Sequence, residues 1–136
     1  MDQYGNYTIA GPDGKEHHIN TWNTQGENIA DNGGMKLSFD AWHHRFTTPS
    51  AHNSYDNRKL PGLEKFTHEQ LYFIQYARVF CAKSTPEHDV LMLNEDNHSP
   101  NKFRINGVVQ NSVDFARAFH CKAGSPMNPV NKCMLW

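Results

Sequence analysis

Between Gly26 and Arg45 the apolar residues recur at helical and not at strand spacing, and two carboxylates, Glu27 and Asp31, stand four residues apart within that stretch. Ile29, Asn32-Gly33 and Lys36-Leu37 mark successive turns, and Trp42 lies further along. A helix over about 26–45 follows. Gly33-Gly34 weakens it, since glycine costs on the order of 1 kcal/mol against alanine inside a helix, so the pair predicts another backbone packed close by. On such a helix Glu27 and Asp31 project roughly 40° apart, one turn above the other. One carboxylate can then bind a metal while the other supports the site. The spacing alone does not choose this chemistry, because i,i+4 carboxylates are also common on solvated helix faces.

Elsewhere the local signals are sparser. Residues 1–25 show no apolar period and predict an irregular lead-in with a turn at Gly11-Pro12-Asp13-Gly14. Residues 47–62 read as loop. Thr67, with Gln70 three residues later, is the pattern of a capping box and opens a second helix. Leu71, Ile74, Ala77, Val79, Phe80 and Cys81 give that helix a broad apolar face that should be buried. The polar stretch from Lys83 to Lys102 is interrupted only by Val90–Leu93, and Phe103-Arg104-Ile105 predicts a short extended piece turning at Asn106-Gly107. Asn111 or Ser112 caps a third helix carrying Phe115, Ala116 and Phe119 on one face. The tail over 122–136, with Pro126 and Pro129, is irregular. No internal repeat or boundary divides residues 1–136, so the expectation is one unit, mainly α, with long loops.

Composition narrows the partners. A hydrophobic fraction of 38% and a mean hydropathy of -0.75 promise a modest core. Net charge is -1 and the 13 basic residues are scattered, which argues against a nucleic-acid or membrane surface. No apolar run approaches the roughly 18 residues of a bilayer span, and Met1-Asp2-Gln3-Tyr4-Gly5 lacks the basic and apolar regions of a secretory signal. Cys81, Cys121 and Cys133 are odd in number and lack Cys-x-x-Cys spacing. Either one thiol is free, or disulfide partners lie on other sequence, or the three are simply small buried apolar residues.

The whole word Gly26-Glu27-Asn28-Ile29-Ala30-Asp31-Asn32-Gly33-Gly34 resembles the zinc-ligand segment of the neprilysin and endothelin-converting enzyme family of metallopeptidases, peptidase family M13. The likeness continues in family order through Tyr4-Gly5-Asn6, Leu60-Pro61-Gly62-Leu63, Glu69-Gln70-Leu71, Val79-Phe80-Cys81, His98-Ser99-Pro100, Phe103-Arg104, Asn111-Ser112, Phe115, Ala118-Phe119, Cys121, Met127-Asn128-Pro129, Lys132-Cys133 and Trp136. It implies the C-terminal portion of a thermolysin-like zinc peptidase catalytic domain. Glu27 would be the third ligand of one zinc ion, and Asp31 the acid held against a zinc-ligating histidine and often described as a proton donor. His98 would stabilise the oxyanion of the tetrahedral intermediate, and Arg104 would hold a substrate carbonyl. Val79 and Phe80 would line the pocket for the residue after the scissile bond, with Phe80 where the family usually has tryptophan. Met134 stands where a charged residue is common. Without the resemblance, His98 reads as a turn histidine, Arg104 as a surface cation and Val79-Phe80 as helix core.

The other half of such a site is not in these residues. A hydrolytic zinc takes three protein ligands and an open position, two of them commonly from His-Glu-x-x-His, and that pentapeptide does not occur. His68-Glu69-Gln70-Leu71-Tyr72 ends in tyrosine, and the adjacent pairs His17-His18 and His43-His44 point to different sides of a helix. Asn6-Tyr7-Thr8 and Asn97-His98-Ser99 fit the glycosylation sequon, the second disfavoured by Pro100. The resemblance places the two zinc histidines, the cysteine partners of Cys81, Cys121 and Cys133, and the membrane anchor upstream. It implies an extracellular or plasma-membrane ectodomain acting on peptides at the amino side of apolar residues, with these residues inactive alone. The alternative from another class is a non-catalytic fragment serving as a binding or decoy module.

Overall fold

The computed structural model describes residues 2–48 and 58–135. Its spine is the helix α2, Thr21–Thr47, about 40 Å long at 1.5 Å per residue. Two shorter elements precede it: the single turn α1, Asp2–Gly5, and a hairpin of β1, Thr8–Ala10, with β2, Glu16–His18. Helices α3, His68–Val79, α4, Pro86–Glu95, α5, Asn101–Val109, and α6, Val113–Ala118, follow. The fold is mainly α, as expected.

The start of the chain departs from the irregular lead-in. β1 and β2 pair antiparallel with Ile9 opposite His17, closed by the predicted turn, where Gly14 N–H donates to the Gly11 carbonyl at 3.1 Å. Strands of three residues are too short to show an alternation in sequence. They are held from outside, by Tyr7 and Ile9 packing on the buried cluster of Ile19, Leu93 and Phe103. Asn20, whose side chain accepts from the Asn23 N–H, then starts α2 ahead of Gly26. The helix passes through Gly33-Gly34 without a break, and a Cβ at Gly34 would meet nothing within 4 Å. The predicted close backbone approach is therefore not at Gly34. A close approach falls instead on Gly107, where a Cβ would sit 3.0 Å from the Tyr4 ring.

The capping box opens α3 as predicted, with Gln70 N–H donating to Thr67 Oγ1 at 3.1 Å and Thr67 N–H to Gln70 Oε1 at 3.0 Å. Its buried face is not the predicted one. Phe73 is buried, with Tyr72 and Tyr76 packed beside it against Met35, Phe39, Val108, Val109 and Ala118, while Ile74 is 40% and Val79 69% exposed. The helix carries apolar residues on two sides, and the aromatic side, which buries the larger area, faces the core.

Two helices replace predicted loop and strand. Thr85 caps α4 and Pro86 occupies its first turn, where the missing N–H costs nothing. Only Leu93 of Val90–Leu93 is buried, too little apolar periodicity to betray a helix. In α5 the segment 103–107 is helical because Phe103, Gly107, Val108 and Val109 all face the interior. Ser112 caps α6 by accepting from Phe115 N–H at 3.0 Å, with Ala116 buried and Phe115 and Phe119 against the core. The tail is irregular apart from a bridge between Ser125 and Asn128. Of the predicted 47–62 loop, α2 takes Thr47, residues 58–62 form no helix or strand, and 49–57, like Trp136, lie outside the described residues.

Candidate functional site

Because α2 continues through its glycines, Glu27, Asn28, Asp31 and Asn32 occupy one side of successive turns, and α5 lies against that side. Arg104 donates from Nε to Asp31 Oδ2 and from Nη2 to Asp31 Oδ1, both at 2.7 Å. The side chains are 19% and 11% exposed. This parallel fork uses the planar geometry that lysine lacks, and the bonds it donates to Asp31 hold the guanidinium pKa above its ordinary value. Phe80, just past the end of α3, places its ring 4.7 Å from the guanidinium carbon. Tyr76 Oη donates to the Arg104 carbonyl at 3.0 Å. Burial first, then the nearby Asp31 carboxylate, raises the Tyr76 phenol.

His98 enters from the loop between α4 and α5. Its Nδ1 lies 2.7 Å from Asp96 Oδ1, which also accepts the His98 backbone N–H at 2.9 Å. A carboxylate only accepts, so the ring hydrogen sits on Nδ1. Those bonds, the backbone one foremost, hold the Asp96 carboxyl below the usual aspartate range. Nε2 is left facing Glu27 Oε2 at 3.3 Å, both side chains being about one-third exposed.

A chain of polar bonds fixes that loop to α2. Ser99 Oγ donates to Asn28 Oδ1 at 2.7 Å, and Asn28 Nδ2 to Thr24 Oγ1 at 3.1 Å, all three residues being buried. Asn23 Nδ2 donates to the Asp96 carbonyl at 2.7 Å. Asp96, Asn28 and Ser99 are absent from the sequence-based site. Asp96 was detectable as a carboxylate two residues before the candidate histidine, whereas the Asn28–Ser99 partnership spans 71 residues and leaves no local signal.

Four of the predicted residues, Glu27, Asp31, His98 and Arg104, thus meet on one face, with Phe80 beside Arg104. Val79 points to solvent and not into this cluster's core. Cys81 and Cys133 are exposed and Cys121 half-buried, all as free thiols, so no disulfide forms within these residues. His17 rests on Asp13, His18 on the Gly5 carbonyl and His43 on Glu69. Among the described residues no three His, Cys, Asp or Glu side chains are placed to hold a metal ion. The donors present do not complete a zinc site. Glu27 could supply one oxygen of it.

Peptidase family M13 matches residues 1–135. The chain belongs to this family. Neprilysin-1 of Caenorhabditis elegans is 45% identical over 136 residues, all of this chain and 17% of that protein. Human neprilysin is 42% identical, covering 98% of this chain and again 17% of the relative. Among solved structures, the Haemonchus galactose-containing glycoprotein complex superimposes with a TM-score of 0.86 at 37% identity, over 99% of this chain and 22% of that one. The Mycobacterium tuberculosis zinc metalloprotease ZMP1 in its open state gives 0.76 at 28% identity, over 95% and 19%. The chain therefore has the fold of part of a mainly α, thermolysin-like M13 peptidase domain, and spans about one-sixth of the curated relatives it matches.

Proposed function

We propose that residues 1–136 form the C-terminal part of a zinc metalloendopeptidase domain that cleaves peptides on the amino side of apolar residues. The observation that carries this reading is the convergence of Glu27 and Asp31 with His98 and Arg104, over 70 residues away in sequence, in a chain of family M13. When bound, zinc polarises the scissile carbonyl and acidifies water. Glu27 supplies one ligand, and two histidines come from polypeptide outside these residues. Asp31 accepts two bonds from Arg104, yet a carboxylate has about four acceptor positions, so room remains for the N–H of a zinc-bound histidine.

Arg104 spends Nε and Nη2 on Asp31, which leaves Nη1 to donate to a substrate carbonyl. His98, held by Asp96 and the Ser99–Asn28 bond, donates in its imidazolium form, with Nδ1–H on Asp96, from Nε2 to the developing oxyanion, a contribution of roughly 3 kcal/mol to the barrier. Val79 and Phe80 line the pocket for the residue after the scissile bond. In the intact protein, an ectodomain at the plasma membrane or outside the cell, the exposed Cys81 and Cys133 and the half-buried Cys121 pair with upstream cysteines. The 136 residues alone are inactive. Their incomplete donor set is also the one observation that favours the second reading, a binding or decoy module.

Metal analysis and peptide cleavage test this on the intact polypeptide and on the 136-residue chain. Zinc and cleavage are expected in the first only. Glu27→Ala in the intact protein should abolish zinc retention, while Arg104→Ala keeps zinc and weakens substrate. Full zinc in the Glu27 variant would overturn the ligand assignment.

A further inference from the structure

With Nε and Nη2 engaged by Asp31, the end of Arg104 turned to a substrate is Nη1, and where it points depends on what holds the rest of the residue. Three groups do so. Asp31 fixes the edge of the guanidinium, and the Phe80 ring lies over its face, 4.7 Å from the guanidinium carbon. The third acts from the main chain, where Tyr76 Oη donates to the Arg104 carbonyl at 3.0 Å. Tyr76 and Phe80 stand one turn apart at the end of α3, and their rings meet edge to face with centroids 5.4 Å apart. One aromatic pair thus touches both the backbone and the charge of the same arginine.

This bond is additional to the helix. Arg104 lies inside α5, where one lone pair of its carbonyl belongs to the helix ladder, and the Tyr76 hydroxyl takes the other. Burial, and then the Asp31 carboxylate, raises the phenol, so it stays protonated and a donor. One turn earlier Tyr72 meets Ser38 Oγ and the Met35 carbonyl, which ties α3 to α2 and not to Arg104.

We infer that Tyr76 is a positioning residue for substrate binding: through the Arg104 carbonyl it sets the register of α5 against α3, and with it the distance from Arg104 Nη1 to a peptide resting on Phe80. The inference rests on the peptidase reading above, in which Nη1 donates to a substrate carbonyl. A phenylalanine at position 76 would fill the same space and keep the edge contact with Phe80. It would leave the register to ring and methyl contacts, which lack the directionality of a hydrogen bond.

The test uses the intact peptidase and one peptide with an apolar residue after the scissile bond. Tyr76→Phe should raise KM roughly two- to fivefold, the scale of one neutral hydrogen bond, with kcat and zinc content little changed. Tyr72→Phe removes a phenolic oxygen from the same helix and should leave KM unaltered. In an Arg104→Ala background the Tyr76 substitution should no longer change kcat/KM, because the group it positions is gone. An unchanged KM in Tyr76→Phe, a loss confined to kcat, an equal rise in Tyr72→Phe, or a Tyr76 effect that persists in full beside Arg104→Ala would each overturn the positioning role and leave the peptidase reading standing. Failure of the unaltered protein to cleave any peptide would remove that reading, and the role with it.

Discussion

Arg104 grips Asp31, 73 residues away in sequence, through two parallel 2.7 Å hydrogen bonds, so that α2 and α5 share one nearly enclosed ion pair. Removing either partner strands the other in a partly dry setting. Asp31→Ala should cost about 2 kcal/mol, a value discounted from fully buried pairs for the residual exposure, read from the denaturant midpoint. Arg104→Lys should recover little of an Arg104→Ala loss, because an ammonium cannot make the fork.

Gly107 is required by contact and not by backbone angle. An added methyl would meet the Tyr4 ring at 3.0 Å, and Tyr4 also accepts from Asn32 Nδ2 at 2.9 Å, so the ring is not free to retreat. Gly107→Ala should destabilise by about 1–3 kcal/mol despite alanine's better helix propensity. Thermal unfolding checks this; a stabilised variant would show that the ring yields.

The Ser99–Asn28 bond is predicted to matter for His98 out of proportion to its size. Ser99→Ala leaves the buried Asn28 carbonyl oxygen without its partner, a cost of about 1–3 kcal/mol. In the intact peptidase Asn28→Ala should lower kcat more than it raises KM, since it loosens the loop carrying His98 and not Arg104. An equal change in both would point to general loss of structure.

Acid stability should depend on Asp96. Its folded pKa lies below the ordinary value, so its contribution is complete above the unfolded pKa of about 3.9 and disappears as pH falls through the lower folded value. Asp96→Asn should flatten that acid limb in a plot of unfolding free energy against pH. Asp13 and Glu64 are shifted the same way, at exposed sites, and part of the limb will survive.

Local chemistry was legible wherever the cause was local. Thr67 with Gln70, and Ser112 before Phe115, announce helix starts because the capping side chain bonds an N–H three residues on. The helical spacing of Glu27 and Asp31 is readable for the same reason. The hairpin, α4 and the helical state of residues 103–107 were not, since Ile9, Leu93 and Phe103 earn their places from partners far along the chain.

By itself, then, the amino-acid order settled that two carboxylates share a helix face and that this face belongs to an M13 peptidase. Only the tertiary structure decided that Asp31 is bound to Arg104, that Asp96 and Asn28 hold the His98 loop, and that α3 buries Phe73 and leaves Val79 outside. Backbone periodicity is a property of neighbours a few residues apart, whereas an ion pair or a buried amide exists only when packing brings distant segments within about 3 Å.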